Sequence, residues 1–309
     1  MMSMRAAGRP IEPVPVPRAS PERAGLVLAA LILVAAVANL NLAVANVALP
    51  SIGAAFDTSQ TTLDLIAVGY SLGLAASVLY LGALGDRYGR KMMLVFGMVL
   101  SVPACLLAAF APSAELLVAA RLLGGVAAYM AFPTTLALIT ALWSGPARTK
   151  AIALWFGIGG AIALLGPPTS GWLLEHYWWG SVFLITLPIV GIALVMALVF
   201  VPSHVNETRD PVDHFGGVLS VVFVAALVMA INLAATPDGG ALTLGLATVA
   251  FAAGTAFFVR QRRARTPLYD LHVAARRERL LAEYRSEDAM RQTPTGASST
   301  PGAVSRGPA

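Results

Sequence analysis

The sequence predicts an all-α integral membrane protein, and its composition and hydropathy lead to that prediction. The 309 residues are 57% hydrophobic and 12% charged, and the mean hydropathy of +0.74 is far above that of soluble globular domains. The apolar residues form eight runs of about 20 residues, the length of helix that crosses a hydrocarbon core about 30 Å thick. The predicted spans are 26–50, 61–84, 92–111, 116–142, 151–174, 181–201, 216–235 and 241–259.

The basic residues lie in alternate loops. Lys and Arg occur before the first span, at 85–91, at 148–150, at 202–215 and after residue 259, and the one other basic residue is Arg121. The charged residues of the intervening loops are Asp57, Glu115, Glu175 and Asp238. Because Lys and Arg concentrate in cytoplasmic loops, this pattern predicts a multi-pass protein of the cell inner (plasma) membrane with both termini in the cytoplasm.

The same boundaries divide the chain into five parts. We expect a disordered cytoplasmic N-terminus (1–25), a half of six transmembrane helices (26–201), a cytoplasmic link (202–215), two additional transmembrane helices (216–259) and a cytoplasmic, largely disordered tail (260–309). The spans contain no cluster of nucleophiles or metal ligands, so the sequence predicts no enzyme activity, no metal site and no cofactor. The arginines after residue 259 are expected to contact anionic membrane lipid and not nucleic acid.

The stretch GALGDRYGRKMML at 82–94 concentrates charges and glycines between the second and third spans. In one interpretation it is an ordinary cytoplasmic turn with the expected positive charge. It also fits G-x-L-x-D-R-x-G-R-K-x-x-L at every fixed position, which are Gly82, Leu84, Asp86, Arg87, Gly89, Arg90, Lys91 and Leu94. We expect the glycines to let two antiparallel helices reverse tightly, and Asp86 to lie just before the third helix, where the helix dipole favours an anion.

This pattern resembles the signature of the major facilitator superfamily, which lies between spans two and three of those proteins. The resemblance implies a charge latch that holds one conformation of a transporter. NLAVANVALP at 41–50, RLLGGVAA at 121–128 and GPPTSG at 166–171 are similar to motifs of the fourteen-span drug:proton antiporter branch, and VDHFGGVL at 212–219 resembles the start of its two extra spans. The implied fold is the six-helix N-terminal half of a major facilitator fold, plus two linker transmembrane helices and a soluble C-terminal tail.

Five polar residues of the spans are candidates for a substrate or proton pathway: Asn39, Asn41, Asn46, Asp64 and Arg121. Arg121 is functional by default because a charge within a span is costly, and the alternative is a side chain that snorkels to the membrane surface. Asn39 and Asn46 share one helix face, where they line a cavity or bond a neighbouring helix. Asp64 is expected in the first turn of its helix, where it either carries protons or stabilises the helix N-terminus. A single central cavity is expected near Asn39, Asn46 and Arg121.

Gly166 and Pro167 are expected to break the fifth helix, and Gly171 completes the motif there. The resemblance implies a flexible bend that is tight to protons. The alternative interpretation is an ordinary kinked membrane helix.

The resemblance implies a transmembrane transporter that exports drugs or other small molecules by proton antiport and so confers multidrug resistance. Its partners would be an amphiphilic small-molecule substrate, protons and membrane lipid. Family members combine two six-span halves, whereas this chain has about eight spans. We therefore expect a truncated transporter that needs a second copy or a separately encoded second half. The alternative is a non-transporting membrane scaffold or an inactive fragment.

Overall fold

A computed structural model of the chain describes residues 20–203, 212–234 and 240–263, and the predicted tail beyond Arg263 lies outside them. Every regular element of the described part is a helix. The helices are α1 (Ala24–Phe56), α2 (Gln60–Tyr88), α3 (Arg90–Ala109), α4 (Ala114–Leu142), α5 (Gly145–Leu164), α6 (Gly166–His176), α7 (Ser181–Leu184), α8 (Thr186–Phe200), α9 (His214–Ala234) and α10 (Gly240–Arg263).

The helices form eight segments that are long and apolar enough to cross a membrane, because α5 with α6 and α7 with α8 each make one segment. The all-α membrane fold and the number of spans are thereby confirmed for the described residues. Helix α1 is the central element, and two clusters of buried apolar residues surround its two ends. The faces of α5 and α10 are largely apolar and exposed, as expected for helices that meet lipid.

Helices α2 and α4 pack closely because glycines lie at their crossing. A Cβ atom on Gly73 of α2 would lie 2.2 Å from the carbonyl oxygen of Leu122, and one on Gly125 of α4 would lie 2.0 Å from that of Tyr70. No side chain fits at either position, so the two backbones are in direct contact, as in other close helix pairs of membrane proteins. This crossing places Arg121 of α4 against α2.

The predicted turn at 85–91 is wrong in extent, because helices occupy nearly all of it. Helix α2 continues through Tyr88 and α3 begins at Arg90, so that Gly89 alone separates them. Gly89 has φ +99°, which favours glycine, and this one residue ends α2. Asp86 therefore lies in the last turn of α2 and not just before α3, so the predicted interaction with the dipole of α3 is wrong.

Helices α9 and α10 lie at the edge of the bundle beside α2. Gly217 of α9 receives the ring of Tyr80, whose hydroxyl group lies 2.9 Å from Nδ1 of His214. At the start of α9, the Asp213 side chain accepts a hydrogen bond from the Gly216 backbone N–H at 3.0 Å. The same carboxylate joins α9 to α10, because Arg260 of α10 donates to both of its oxygens at 2.8–3.0 Å.

Candidate functional site

Arg121 lies inside the helix bundle. Its side chain is 2% exposed, so the alternative of a side chain that snorkels to the membrane surface is wrong. Its Nη1 atom donates to the carbonyl oxygen of Asn41 at 3.1 Å, and its Nε atom donates to that of Ile66 at 3.4 Å. The guanidinium group also lies 4.7 Å from the centre of the Tyr70 ring, a cation–π contact.

The positive charge of Arg121 is balanced by dipoles and aromatic rings. In the described part of the chain no carboxylate pairs with it, and Phe183 provides a second aromatic face at 5.9 Å. Its Nη2 atom has no hydrogen-bond partner. Arg121, Cys105 and Ser101 line a small cavity of about 10 Å³, which has room for about one water molecule. The arrangement can therefore offer one unused, positively charged donor inside the bundle.

Asn41 connects this cluster to two further helices. Its side-chain oxygen accepts hydrogen bonds from the Cys105 thiol at 3.5 Å and from the Thr186 hydroxyl at 3.4 Å, and its amide nitrogen donates to the carbonyl oxygen of Val37 at 3.1 Å. Tyr70 reaches α1 as well, because its hydroxyl donates to the carbonyl oxygen of Ala38 at 3.0 Å. Sequence reasoning missed Tyr70, Cys105 and Thr186, and an uncharged side chain in an apolar run gives no sign of such a role.

Asn39 and Asn46 lie in a different and larger cavity. It has a volume of about 480 Å³ between α1, α4 and α5, and neither Asn41 nor Arg121 lines it. Its other lining residues are apolar and are Ala35, Leu42, Ala43, Phe132, Trp155, Phe156, Gly159, Gly160 and Ala163. The expected single cavity near Asn39, Asn46 and Arg121 is thus two cavities, because at about 100° per residue Asn41 faces away from the other two asparagines.

Asn46 of the large cavity lies one helical turn before a proline of α1. Pro50 lies inside α1, and it has no N–H to donate to the carbonyl oxygen of Asn46 four residues earlier. The Asn46 residue is exposed to the cavity and Asn39 is half-buried. The cavity is therefore lined by two asparagines and by the aromatic residues Phe132, Trp155 and Phe156, and its lining includes no charged residue.

Asp64 lies away from both cavities. It is exposed, and its Oδ1 atom accepts a hydrogen bond from Nε2 of Gln60 at 3.0 Å. Its predicted place in the first turn of α2 is wrong, because α2 begins at Gln60 and Asp64 is in the second turn. The N-terminus is capped instead by Ser59, whose hydroxyl accepts from the backbone N–H of Thr62 at 3.3 Å.

Two basic residues of the predicted latch, Arg90 and Lys91, bind backbone carbonyl groups of two other helices. Nη1 of Arg90 donates to the carbonyl oxygen of Ala137 in α4 at 2.8 Å, and Nη2 lies 3.7 Å from the Asp86 carboxylate. Nζ of Lys91 donates to the carbonyl oxygen of Leu198 in the last turn of α8 at 2.9 Å. These contacts attach the start of α3 to α4 and α8, and the Leu198 carbonyl lies at a helix C-terminus, which carries partial negative charge.

Two glycines of the same motif make room for neighbouring side chains. A Cβ atom on Gly82 would lie 3.3 Å from the Tyr129 hydroxyl of α4, and one on Gly85 would lie 3.4 Å from Cγ of Met93 in α3. The glycines therefore allow α2 to approach both helices.

The remaining members of the motif serve packing and contact at the same end of the bundle. Leu94 is fully buried in the core and Leu84 is half-buried. The guanidinium of Arg87 lies 5.5 Å from the centre of the Tyr88 ring.

The break at Gly166 occurs where the sequence predicts it. Helix α5 ends at Leu164 and α6 begins at Gly166, and the ring of Pro167 has no N–H to continue the helical bonds. A Cβ atom on Gly166 would lie 3.0 Å from that of Ala43, so the break packs directly on α1. A Cβ atom on Gly171 would meet no neighbour within 4 Å.

Polar side chains that line cavities between helices able to span a membrane are typical of the pathways in membrane transporters. Within the described residues, no group of three or more His, Cys, Asp or Glu side chains is placed to bind a metal ion. Residues 31–260 match the Major Facilitator Superfamily, and the chain belongs to this family. The predicted resemblance is thereby confirmed.

Several relatives are named as efflux or resistance proteins. The chain is 39% identical over 262 residues to "Multidrug efflux pump LfrA" of Mycolicibacterium smegmatis, an alignment that covers 84% of this chain and 52% of the relative. It is 36% identical over 207 residues to "Methyl viologen resistance protein SmvA" of Salmonella typhimurium, with 67% of this chain and 42% of the relative covered. "Drug efflux pump JefA" of Mycobacterium tuberculosis is 33% identical over 240 residues, covering 75% and 46%. The chain spans about half the length of these relatives.

Proposed function

We propose that these helices supply the N-terminal six-helix half, and two additional helices, of a transporter that exports amphiphilic small molecules by proton antiport. The observation that carries the proposal is the cavity of about 480 Å³ at Asn39 and Asn46. The names of the relatives support export, and they do not favour the alternative of a membrane scaffold. The proposed location is the inner membrane, with both termini in the cytoplasm.

The lining of this cavity suits a cation with an aromatic or other apolar body. Phe132 and Trp155 lie with ring centres 5.4 Å apart, and Phe156 adds a third ring 4.7 Å from Trp155. Aromatic faces attract delocalised cations, and amide oxygens at Asn39 and Asn46 accept hydrogen bonds from a substrate. The cavity has no charged lining residue to pair with a bound ion. Moving such a molecule from water into the cavity therefore costs less free energy of desolvation than moving a small hydrophilic ion.

The polar cluster around Arg121 and the latch have separate proposed roles. In this proposal Arg121 and Asn41 respond to protons and substrate, and Arg121 passes the response on through its bonds to α1 and α2. Asp64 is exposed and does not belong to this cluster. Arg90 and Lys91 hold one conformation by attaching α3 to α4 and α8, and the break at Gly166 lets α6 bend against α1. A second six-helix half provides the opposite wall, and it comes from further sequence, a second copy or a separate chain.

The test measures binding and flux separately. Ethidium, a planar aromatic cation, is titrated onto the purified chain and onto Asn46→Ala, and the variant should bind between about 2 and 13 times more weakly, the value of one hydrogen bond. Asn232→Ala is the matched control, because Asn232 lies in α9 outside the cavity and donates to the carbonyl oxygen of Val228. Equal ethidium affinities for the wild type and Asn46→Ala would contradict the proposed binding cavity.

Flux is measured in vesicles with an imposed proton gradient. We expect gradient-driven release of ethidium when the chain is reconstituted with a second half, such as residues from the C-terminal part of a relative, and none from the monomer alone. Gradient-driven release by the isolated monomer would contradict the need for a second half.

A further inference from the structure

A groove on the surface of the α9 and α10 pair has no part in the proposed transport path. It has a volume of about 400 Å³, which is within the range of sites for small ligands. Phe223 contributes one wall from α9, and the rest of the groove is one face of α10. The α10 residues are Ala250, Phe251, Gly254, Thr255, Phe258, Val259 and Arg262.

Gly254 allows Phe223 to approach α10 closely at the groove. A Cβ atom there would lie 2.8 Å from the Phe223 ring, so the ring packs directly on the α10 backbone. Phe258 meets the same ring edge to face with centres 6.2 Å apart, and Phe251 at the other side is 78% exposed. Because α10 is apolar enough to cross a membrane, we expect these exposed rings to meet hydrocarbon. An occupant of the groove must therefore be apolar along its length.

One end of the groove is positively charged. Arg262 lies one helical turn after Phe258, so the two residues share a face of α10. The charge of Arg260 is already engaged, because its guanidinium binds the Asp213 carboxylate with two nitrogens at 2.8–3.0 Å. Arg262 pairs with no carboxylate among the described residues, and it lies in the last turn of α10, where a spanning helix reaches the membrane surface. The groove thus combines an apolar length with one basic end.

We propose that this groove binds one anionic phospholipid, with an acyl chain against the phenylalanine rings and the phosphate at Arg262. A guanidinium forms charge-assisted hydrogen bonds with phosphate, and basic residues at the ends of spanning helices attract anionic lipid. The acyl chain matches the apolar walls, and the net negative charge of the headgroup matches the basic end. The site is independent of the proposed export, because it shares no residue with the cavity of Asn39 and Asn46.

The test compares two lipids that differ in headgroup charge. The full-length chain in detergent is titrated with phosphatidylglycerol or with phosphatidylcholine of the same acyl chains, and bound lipid is counted by native mass spectrometry. We expect one tightly bound phosphatidylglycerol and a preference over phosphatidylcholine of about fivefold, the effect of one basic residue near an anionic surface. Arg262→Ala should remove the preference, and Arg263→Ala should keep it, because Arg263 carries the same charge outside the groove.

A second pair of variants tests the acyl-chain site. Thr255→Phe fills the groove and should reduce the binding of both lipids at least fivefold. Thr248→Phe is the matched control, because both threonines are exposed and donate to the carbonyl oxygen four residues earlier at 2.8 Å, but Thr248 is outside the groove. Equal binding of the two lipids, equal losses for Arg262→Ala and Arg263→Ala, or no lipid bound to the wild type would overturn the proposal. Unchanged thermal midpoints for all four variants show that they remain folded.

Discussion

Gly125→Ala tests whether the crossing of α2 and α4 depends on the absence of a side chain. The added Cβ would lie 2.0 Å from the Tyr70 carbonyl oxygen, whereas ordinary van der Waals contact begins at 3.4 Å. Backbone atoms cannot rotate away as a side chain does, so the helices must separate by more than an ångström. Overpacking of a close-packed core costs about 1–3 kcal/mol, and a clash with backbone belongs at the upper end.

The expected loss is measurable with the one cysteine of the chain. Cys105 is 5% exposed, so a thiol-reactive fluorescent dye labels it only when the bundle opens. A steric loss of about 3 kcal/mol, less the gain of about 1 kcal/mol in helix propensity, corresponds to a net fall of roughly 4–8 °C in the thermal midpoint. The separation of the helices should also weaken the bond between Arg121 and the Ile66 carbonyl oxygen. Because Arg121 and Cys105 line the same small cavity, the dye should then label Cys105 of the folded variant faster than Cys105 of the wild type.

Two other glycines provide controls with the same chemical change. A Cβ atom on Gly124 would lie 3.3 Å from the edge of the Tyr70 ring, which can shift slightly, and one on Gly157 would meet nothing within 4 Å. Each alanine also gains roughly the same helix propensity, about 1 kcal/mol, so the comparison isolates the steric effect. If Gly125→Ala melts at the same temperature as Gly124→Ala, the close crossing of α2 and α4 is refuted.

Three further predictions concern charged groups. Arg121→Met should melt at or above the wild-type temperature, because Met avoids the desolvation cost of a buried charge that pairs with no carboxylate among the described residues. Dye labelling of Cys105 measures the thermal midpoint, and a midpoint far below that of the wild type would show that Arg121 holds the bundle together. Asp86→Asn should change stability by less than about 0.5 kcal/mol, since the Asp86 side chain is 60% exposed and its contact with Arg90 is an i,i+4 surface pair, yet it should alter dye flux in the assembled transporter. Hydrogen bonds from Arg260 lower the pKa of Asp213, so the carboxylate stabilises the fold above its unfolded pKa of about 3.9 and this contribution is lost as the pH falls through the lower folded pKa. The difference in thermal midpoint between wild type and Asp213→Asn, followed by tryptophan fluorescence, should be present at pH 7 and shrink below about pH 4; a constant difference would contradict the role of the charge.

The hydropathy of the sequence was sufficient to predict the spans but not their ends. Crossing a hydrocarbon core requires about 20 consecutive apolar residues, and such a run can be recognised in the amino-acid sequence alone. The residues at 85–91 look like a loop because they are charged and contain glycine. In the structure all of them except Gly89 are helical, and Arg90 and Lys91 donate to carbonyl groups on α4 and α8, which are distant in sequence. Only the backbone conformation of Gly89 ends the helix.

The polar residues of the candidate site show the same division. The spacing of residues along α1 predicts that Asn39 and Asn46 share a face, and in the structure both line the same cavity, whereas Asn41 lines the other one. The partners of Asn41 follow from tertiary packing alone, because Thr186 is 145 residues away and nothing local distinguishes it from other threonines. Sequence periodicity therefore identifies the faces of a membrane helix, whereas the neighbours of each face depend on how the helices cross.

The spacing of Arg121 and Gly125 has a physical explanation in the contact of two helical turns. The residues are four apart and so lie one above the other on the face of α4 that meets α2. On α2, Ile66 and Tyr70 are also four apart: the Ile66 carbonyl accepts from Arg121, and the Tyr70 carbonyl lies where a side chain on Gly125 would be. The absence of that side chain brings Tyr70 close enough for its ring to lie under the guanidinium. The glycine thereby allows the close approach of α2 that surrounds Arg121 with a carbonyl oxygen and an aromatic ring, in a part of the described structure where no carboxylate pairs with it.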